Sequence, residues 1–294
     1  MNQQLRYSVV GLIALVLAAC GSSATPSTQT GAADGPVVPV IAVSELTVGP
    51  NRIALGLIRD NSPVNDPGAK VHLRFYDRAD TSSSVKAEAD ATYYGEGLPA
   101  AVYVAYPTFD HVGDWDMVVQ TQLSGQAAPT SSKLRFTVQE ASAVPNVGQQ
   151  AVSVKTPTVA DTPPAQLSSD GKPNPALYQL SVDAALQSGK PTALLFATPA
   201  FCRTATCGPS VRVLGDLQKQ FGDKMNFIHV EVYKFPFDKS FQAQQAGFSA
   251  GMAAWKLQTE PWLFLIDKNG TIQSRFEGGI TKEELSPIVQ KLLS

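Results

Sequence analysis

Between Val38 and about Glu140 the apolar residues of this chain recur at every second position; from about Gln179 onward they do not. The first pattern runs through Ile53, Leu55 and Leu57, then Val71, Leu73 and Phe75, then Val102 and Val104. It continues through Trp115, Met117 and Val119, and ends with Leu134, Phe136 and Val138. Side chains two apart share one face of a strand, so each run predicts a strand with one buried face. Turn-forming clusters such as Asp60-Asn-Ser-Pro-Val-Asn-Asp-Pro-Gly68 and Ser124-Gly125 separate the runs, and no helical period intervenes.

Seven or eight short strands in succession predict an immunoglobulin-like β-sandwich over residues 38–140. No cysteine pair bridges its sheets, so packing alone must hold it. The stretch Gly113-Asp-Trp-Asp-Met117 resembles the Gly-x-Trp strand entry of several envelope β-sandwich domains, with Trp115 as a core residue. Residues 141–175 are rich in Pro, Ser, Thr and Gln and read as a linker, with one edge strand around 151–155. Residues 176–294 then alternate helix and strand. Ser181 caps a short helix ending before Gly189, a strand follows at Thr192–Ala197, and a helix runs from Pro209 to about Phe221. Asn226–Tyr233 is the next strand, followed by a looser helical stretch between Ser240 and Leu257. A hairpin around Lys268-Asn-Gly270 leads to a last helix, which opens at Thr281 with Glu284 completing a capping box. That order predicts an α/β domain.

The N-terminus carries Arg6, an apolar stretch from Val9 to Leu17, and then Leu17-Ala-Ala-Cys20. So short an apolar region reads as a signal peptide over residues 1–19 rather than a spanning helix. The tetrad resembles the bacterial lipobox, which implies cleavage before Cys20 and its lipidation. Residues 20–37, rich in Gly, Ser, Thr and Ala, then form a tether. The resemblance implies a bacterial cell-envelope protein, lipid-anchored to a membrane on its extracytoplasmic side, where disulfides persist. The net charge of −2 and the absence of a basic block give no footprint for nucleic acid.

With Cys20 assigned to lipid, the other two of the three cysteines, Cys202 and Cys207, lie in one loop between the strand ending at Ala197 and the helix entered through Gly208-Pro209. On a regular helix, residues five apart are too far apart for the roughly 4.4–6.8 Å a disulfide accepts. With Gly208 as cap and Pro209 as first helical residue, both cysteines precede the helix and the pair can close. The positive end of the helix dipole would then favour the thiolate of Cys207, the expected nucleophile, with Cys202 resolving. Arg203 adds positive charge to either sulfur. A disulfide that merely staples the loop is the alternative.

The order of elements, with Gly189-Lys-Pro191, Phe196, Cys202, Cys207-Gly-Pro209, Glu260-Pro261 and Gly278, resembles a thioredoxin-like domain of the membrane-anchored thiol-disulfide class. The resemblance implies a thiol or disulfide of an envelope protein as partner, no cofactor, and a substrate groove at Glu260, Pro261 and Gly278, with Pro261 cis. The family's Cys-x-x-Cys is broken, because Ser210 stands where the resolving thiol would be. No carboxylate occupies the buried position near Leu195 where that family carries an acid.

Thr198-Pro-Ala-Phe-Cys202 also resembles the bacterioferritin-comigratory peroxiredoxins. Here Pro199 replaces their threonine, Glu260-Pro-Trp262 lacks their arginine, and Arg275 is the nearest substitute. Copper delivery through Cys202, Cys207 and His229 is a further alternative, as two thiolates and an imidazole suit Cu(I). So is a non-enzymatic scaffold with a structural disulfide.

Overall fold

The computed structural model describes residues 35–238 and 240–294, and residues 35–294 cluster as one compact unit. The expected signal peptide, Cys20 and most of the tether lie outside the described residues. Among the described residues no helix is long and apolar enough to cross a membrane.

The N-terminal half is a β-rich, sandwich-like domain. Its main strands are β1 (Val38–Ile41), β2 (Ile53–Arg59), β3 (Lys70–Asp77), β4 (Ala87–Tyr94), β5 (Val102–Ala105), β6 (Gly113–Gln122) and β7 (Thr130–Gln139). They are joined in the order β1-β2-β5-β4-β3-β6-β7. The two halves of the sandwich are continuous because β4 pairs with β3 through Ala87–Ala91 and with β5 through Thr92–Tyr94. Val71, Leu73 and Phe75 of β3 meet Trp115, Met117 and Val119 of β6 across a shared buried face, as their spacing predicts.

Strand β5 departs from that prediction. Tyr103 and Ala105 line the sandwich core, whereas Val102 and Val104 point the other way, into a second cluster with Ala54 and Leu98. All four residues of β5 are buried because the C-terminal half covers this outer face. A β-carbon added at Gly279 would stand 3.1 Å from Leu98 and 3.6 Å from Val102. A one-sided period cannot reveal a strand buried on both sides.

The C-terminal half is built on β8 (Thr192–Ala197), β9 (Asn226–Glu231), β10 (Trp262–Ile266) and β11 (Ile272–Glu277), in the order β9-β8-β10-β11. Strand β8 runs parallel to β9 and antiparallel to β10. Helices α1 (Val182–Gln187), α2 (Cys207–Phe221), α3 (Ala250–Ala254) and α4 (Lys282–Leu293) cover the sheet. Strand β8 is buried throughout, sending Ala193, Leu195 and Ala197 to one core and Leu194 and Phe196 to the other. The looser helical stretch resolves into α3 and a single turn at Ala243–Ala246.

The segment 141–175 is not a free linker. Val144 is buried, Trp255 Nε1 donates to Val152 O at 3.0 Å, and Val182 N donates to Thr156 Oγ1 at 3.1 Å. Its only sheet-like contact among the described residues is a bridge from Gln150 to Thr271, so the edge strand expected at 151–155 does not form. A polar, proline-rich stretch can still satisfy its backbone against a neighbouring surface.

Two networks join the halves, one buried and one partly buried. Arg52 donates to both carboxylate oxygens of Glu284 at 2.7 and 2.9 Å and to the carbonyls of Glu277 and Gly279 at 2.7 and 3.0 Å. Tyr106 adds a hydroxyl bond to Glu284 at 2.7 Å. The capping box of α4 is therefore half made. Thr281 accepts from Glu284 N, but the Glu284 carboxylate turns to Arg52 and Tyr106. Beside it Arg275 donates to Glu45 and Ser142, both at 2.7 Å, and lies over the Trp262 ring. That engagement removes Arg275 as a substitute peroxide-binding residue.

Candidate redox site

The cysteine loop leaves β8 at Thr198 and closes on α2. Cys202 and Cys207 are joined as a disulfide with their Cα atoms 5.9 Å apart. A turn makes this possible: Ala205 N donates to Cys202 O at 3.3 Å, and Ala205 takes a left-handed backbone at φ 57°. Helix α2 begins two residues earlier than its Gly-Pro signal predicts. Cys207 is its first residue, and Thr206 is the cap. Pro209 is still accommodated, because the first-turn amides have no partner within the helix.

The two sulfurs have different surroundings. Cys207 is fully buried in the core between the sheet, α2 and α4. Cys202 is partly exposed and only packs against the edge of that core. Its Sγ accepts the backbone amide of Cys207 at 3.3 Å and lies 3.3 Å from the Thr204 hydroxyl. Ser210, which replaces the usual second thiol, is fully buried and donates to Thr206 O at 2.9 Å, so its hydroxyl is engaged by the helix.

The expected groove residues come together in part. The Glu260–Pro261 peptide is cis, and Pro261 O accepts Gly278 N at 3.0 Å. The sandwich lies against this corner: a β-carbon on Gly278, whose φ is +83°, would stand 2.9 Å from Ala42 O. Ser44 N and Thr259 Oγ1 both donate to Glu277, each at 2.6 Å. Glu260 is half-buried. Burial holds its carboxyl above the usual range; the Arg203 charge opposes this, and Glu231 adds to it. Arg203 itself is exposed.

His229 is not brought to the cysteines as a ligand. It is buried, its Nε2 lies 3.0 Å from Ala197 O, and its Nδ1 lies 2.7 Å from the Tyr178 hydroxyl. A carbonyl can only accept, so Nε2 carries the proton and Nδ1 accepts from Tyr178. Burial depresses the imidazole pKa, with the Glu231 charge opposing. Both ring nitrogens are engaged. Among the described residues no group of three or more His, Cys, Asp or Glu is placed to hold a metal ion.

Glu231 is a site residue that no local motif singles out. It is buried at the end of β9 opposite Ala197, and accepts from Ser169 N at 2.7 Å and Val232 N at 3.0 Å. Ser169 Oγ in turn accepts from Ala200 N at 3.1 Å, so the pair braces the loop that carries Cys202. The signal was present as a lone carboxylate closing an apolar strand. An aromatic rim flanks the same loop, with Phe201 stacked on Phe241 at 3.7 Å and Tyr233 edge-on to Phe241. A cleft of about 240 Å³, lined in part by Tyr178, His229, Glu231 and Tyr233, opens beside it.

A four-stranded mixed sheet with a disulfide between its first strand and the following helix, and a cis-proline before its third, defines the thioredoxin-like class. Residues 178–293 match the family model of the thioredoxin-like domain, and this region is a thioredoxin-like domain. No curated protein matches the chain. Among solved structures, the chain is similar to a thiol:disulfide interchange protein DsbE from Chlorobium tepidum, with 17% identity and a TM-score of 0.36 over 51% of this chain and 99% of that one. A thioredoxin family thiol:disulfide interchange protein from Chlorobium tepidum TLS gives 21% identity and a TM-score of 0.34 over 52% and 100%. A DUF4426 family protein from Pseudomonas aeruginosa PAO1 gives 12% identity and a TM-score of 0.26 over 32% and 77%.

Proposed function

We propose that this chain is a lipid-anchored, extracytoplasmic protein that exchanges disulfides with a thiol or disulfide of an envelope protein through Cys202 and Cys207. The observation that carries the reading is the asymmetry of the pair: one sulfur is partly exposed beneath a helix-terminal amide, and its partner is fully buried. Exchange requires in-line access to a single sulfur and a leaving sulfur behind it. Cys202 meets the first condition and Cys207 the second. The roles are thus the reverse of those expected from the helix dipole alone, because a nucleophile must be reachable as well as acidic.

In the reducing direction the Cys202 thiolate attacks a partner disulfide, forming a mixed disulfide and releasing one partner thiolate. The Cys207 thiolate then attacks Cys202 Sγ, closing the Cys202–Cys207 bond and releasing the second partner thiolate. In the oxidising direction the same bonds form and break in reverse. Lipidation at Cys20 supplies the anchor in this reading, and membrane fractionation of wild-type and Cys20→Ser protein tests it.

The central test equilibrates the full chain with glutathione redox buffers and measures its reduction potential. An exchanging couple falls in the range of about −120 to −270 mV spanned by catalytic pairs. A potential below about −300 mV, together with no exchange with dithiols, would make the disulfide a structural staple.

A further inference from the structure

The loop between the cysteines carries two threonines, and their hydroxyls form a chain that ends on the exposed sulfur. Thr204 Oγ1 lies 3.3 Å from Cys202 Sγ and 2.8 Å from Thr206 Oγ1. Proton positions follow from the chemistry. A disulfide sulfur has no hydrogen, so it accepts, and the single Thr204 proton points to Cys202. Thr204 Oγ1 is then left as an acceptor, and the proton between the threonines belongs to Thr206. Both hydroxyls are thereby polarised toward the sulfur.

Thr206 is held in place for this. It is buried, its methyl would lie 3.4 Å from a β-carbon on Gly279, and Leu98 of the sandwich packs against the same glycine. As the cap of α2 its hydroxyl would ordinarily accept a first-turn amide, yet it makes no cap bond. Its hydroxyl is instead engaged with Thr204.

We infer that Thr204 is a catalytic residue that stabilises the Cys202 thiolate, with Thr206 positioning its hydroxyl. When a partner dithiol reduces the Cys202–Cys207 bond and is itself oxidised to a disulfide, two electrons enter and each sulfur becomes a thiol or thiolate. The sulfur accepting from Thr204 and from the Cys207 amide then carries negative charge more readily than an ordinary cysteine. Bonds to a charged acceptor are stronger than those to a neutral one, so the chain favours the reactive form.

The inference takes from the proposed function only the choice of Cys202 as the attacking sulfur, and its test needs no partner. In the full chain with Cys207→Ser, which keeps the backbone amide, the pH profile of iodoacetamide alkylation is read at the Cys202 peptide by mass spectrometry. Thr204→Val is expected to raise the midpoint by about one pH unit, the equivalent of one hydrogen bond to a charged group. Thr206→Val should raise it by a smaller amount, and Thr204→Ser should restore the parent value. A Thr204→Val midpoint within about 0.2 unit of the parent, on the scale where one unit is one such bond, would overturn the inference. So would a Thr204→Ser midpoint shifted as far as that of Thr204→Val, since the cause would then be loop packing. A protein that exchanges with no thiol would sink the proposed function and leave this result standing.

Discussion

The thioredoxin-like domain carries charged groups on two sides, and it uses them differently. At the seam with the sandwich, Arg52 and Glu284 are almost wholly buried, and the carbonyls of Glu277 and Gly279 and the Tyr106 hydroxyl are bonded to them. Burial works against the Arg52 charge, but Glu284 outweighs it and holds the guanidinium pKa above its ordinary value. At the cysteine rim, Arg203 is exposed, Glu260 is half-buried, and they act on one another only through their charges. Charges at the seam fix one half of the molecule on the other, whereas those at the rim respond to each other with no bond between them.

The seam should break first and most heavily. Arg52→Ala leaves the Glu284 carboxylate buried with only Tyr106 beside it, and removing one partner of such a pair costs about 3–5 kcal/mol. Arg203→Ala, at an exposed position, should stay within about 0.5 kcal/mol. Urea unfolding of the two variants beside wild type measures both. Similar losses from the two, or a seam loss below about 1 kcal/mol, would remove the contrast.

The next effect is at His229, on the edge strand of the sheet opposite the seam. Its folded pKa is depressed, so the native state keeps it neutral while the unfolded chain protonates near the ordinary value of about 6.5. The stability this contributes is fully present above that pH. It is lost as pH falls below it toward the folded value, at up to about 1.4 kcal/mol per pH unit for one proton. Thermal unfolding of wild type and His229→Gln across this range should converge on acidification, with wild type losing more. Parallel profiles would mean that the imidazole is protonated within the fold.

These contrasts were only partly legible in the sequence. Cys202, Cys207 and Glu260-Pro261 stood out because their chemistry is local, and alternation located the sandwich strands because one buried face imposes a period of two. Strand β5 misleads for the same reason: Val102 and Val104 are apolar toward the second domain, while Tyr103 and Ala105 face the core. The Glu284 capping box satisfied a local rule that a residue more than two hundred positions away, Arg52, overrode. Thr204, Thr206, Glu231 and Tyr178 were missed because an ordinary threonine, glutamate or tyrosine acquires a role only from the neighbour that folding brings to it.

The smallest effect tests the rim itself. Burial raises the Glu260 pKa in the fold, with Arg203 opposing, so the protonated form is favoured there. The associated stability is complete below the ordinary carboxylate pKa of about 4.3 and is lost as pH rises through the folded value. Glu260→Gln should therefore gain on wild type as pH rises through that window, by well under about 1 kcal/mol because solvent reaches the group. Arg203→Gln removes the opposing charge and should move the window to higher pH. If Arg203→Gln leaves the window in place, the two charges do not sense each other, and the rim would lack the responsiveness that sets it apart from the seam.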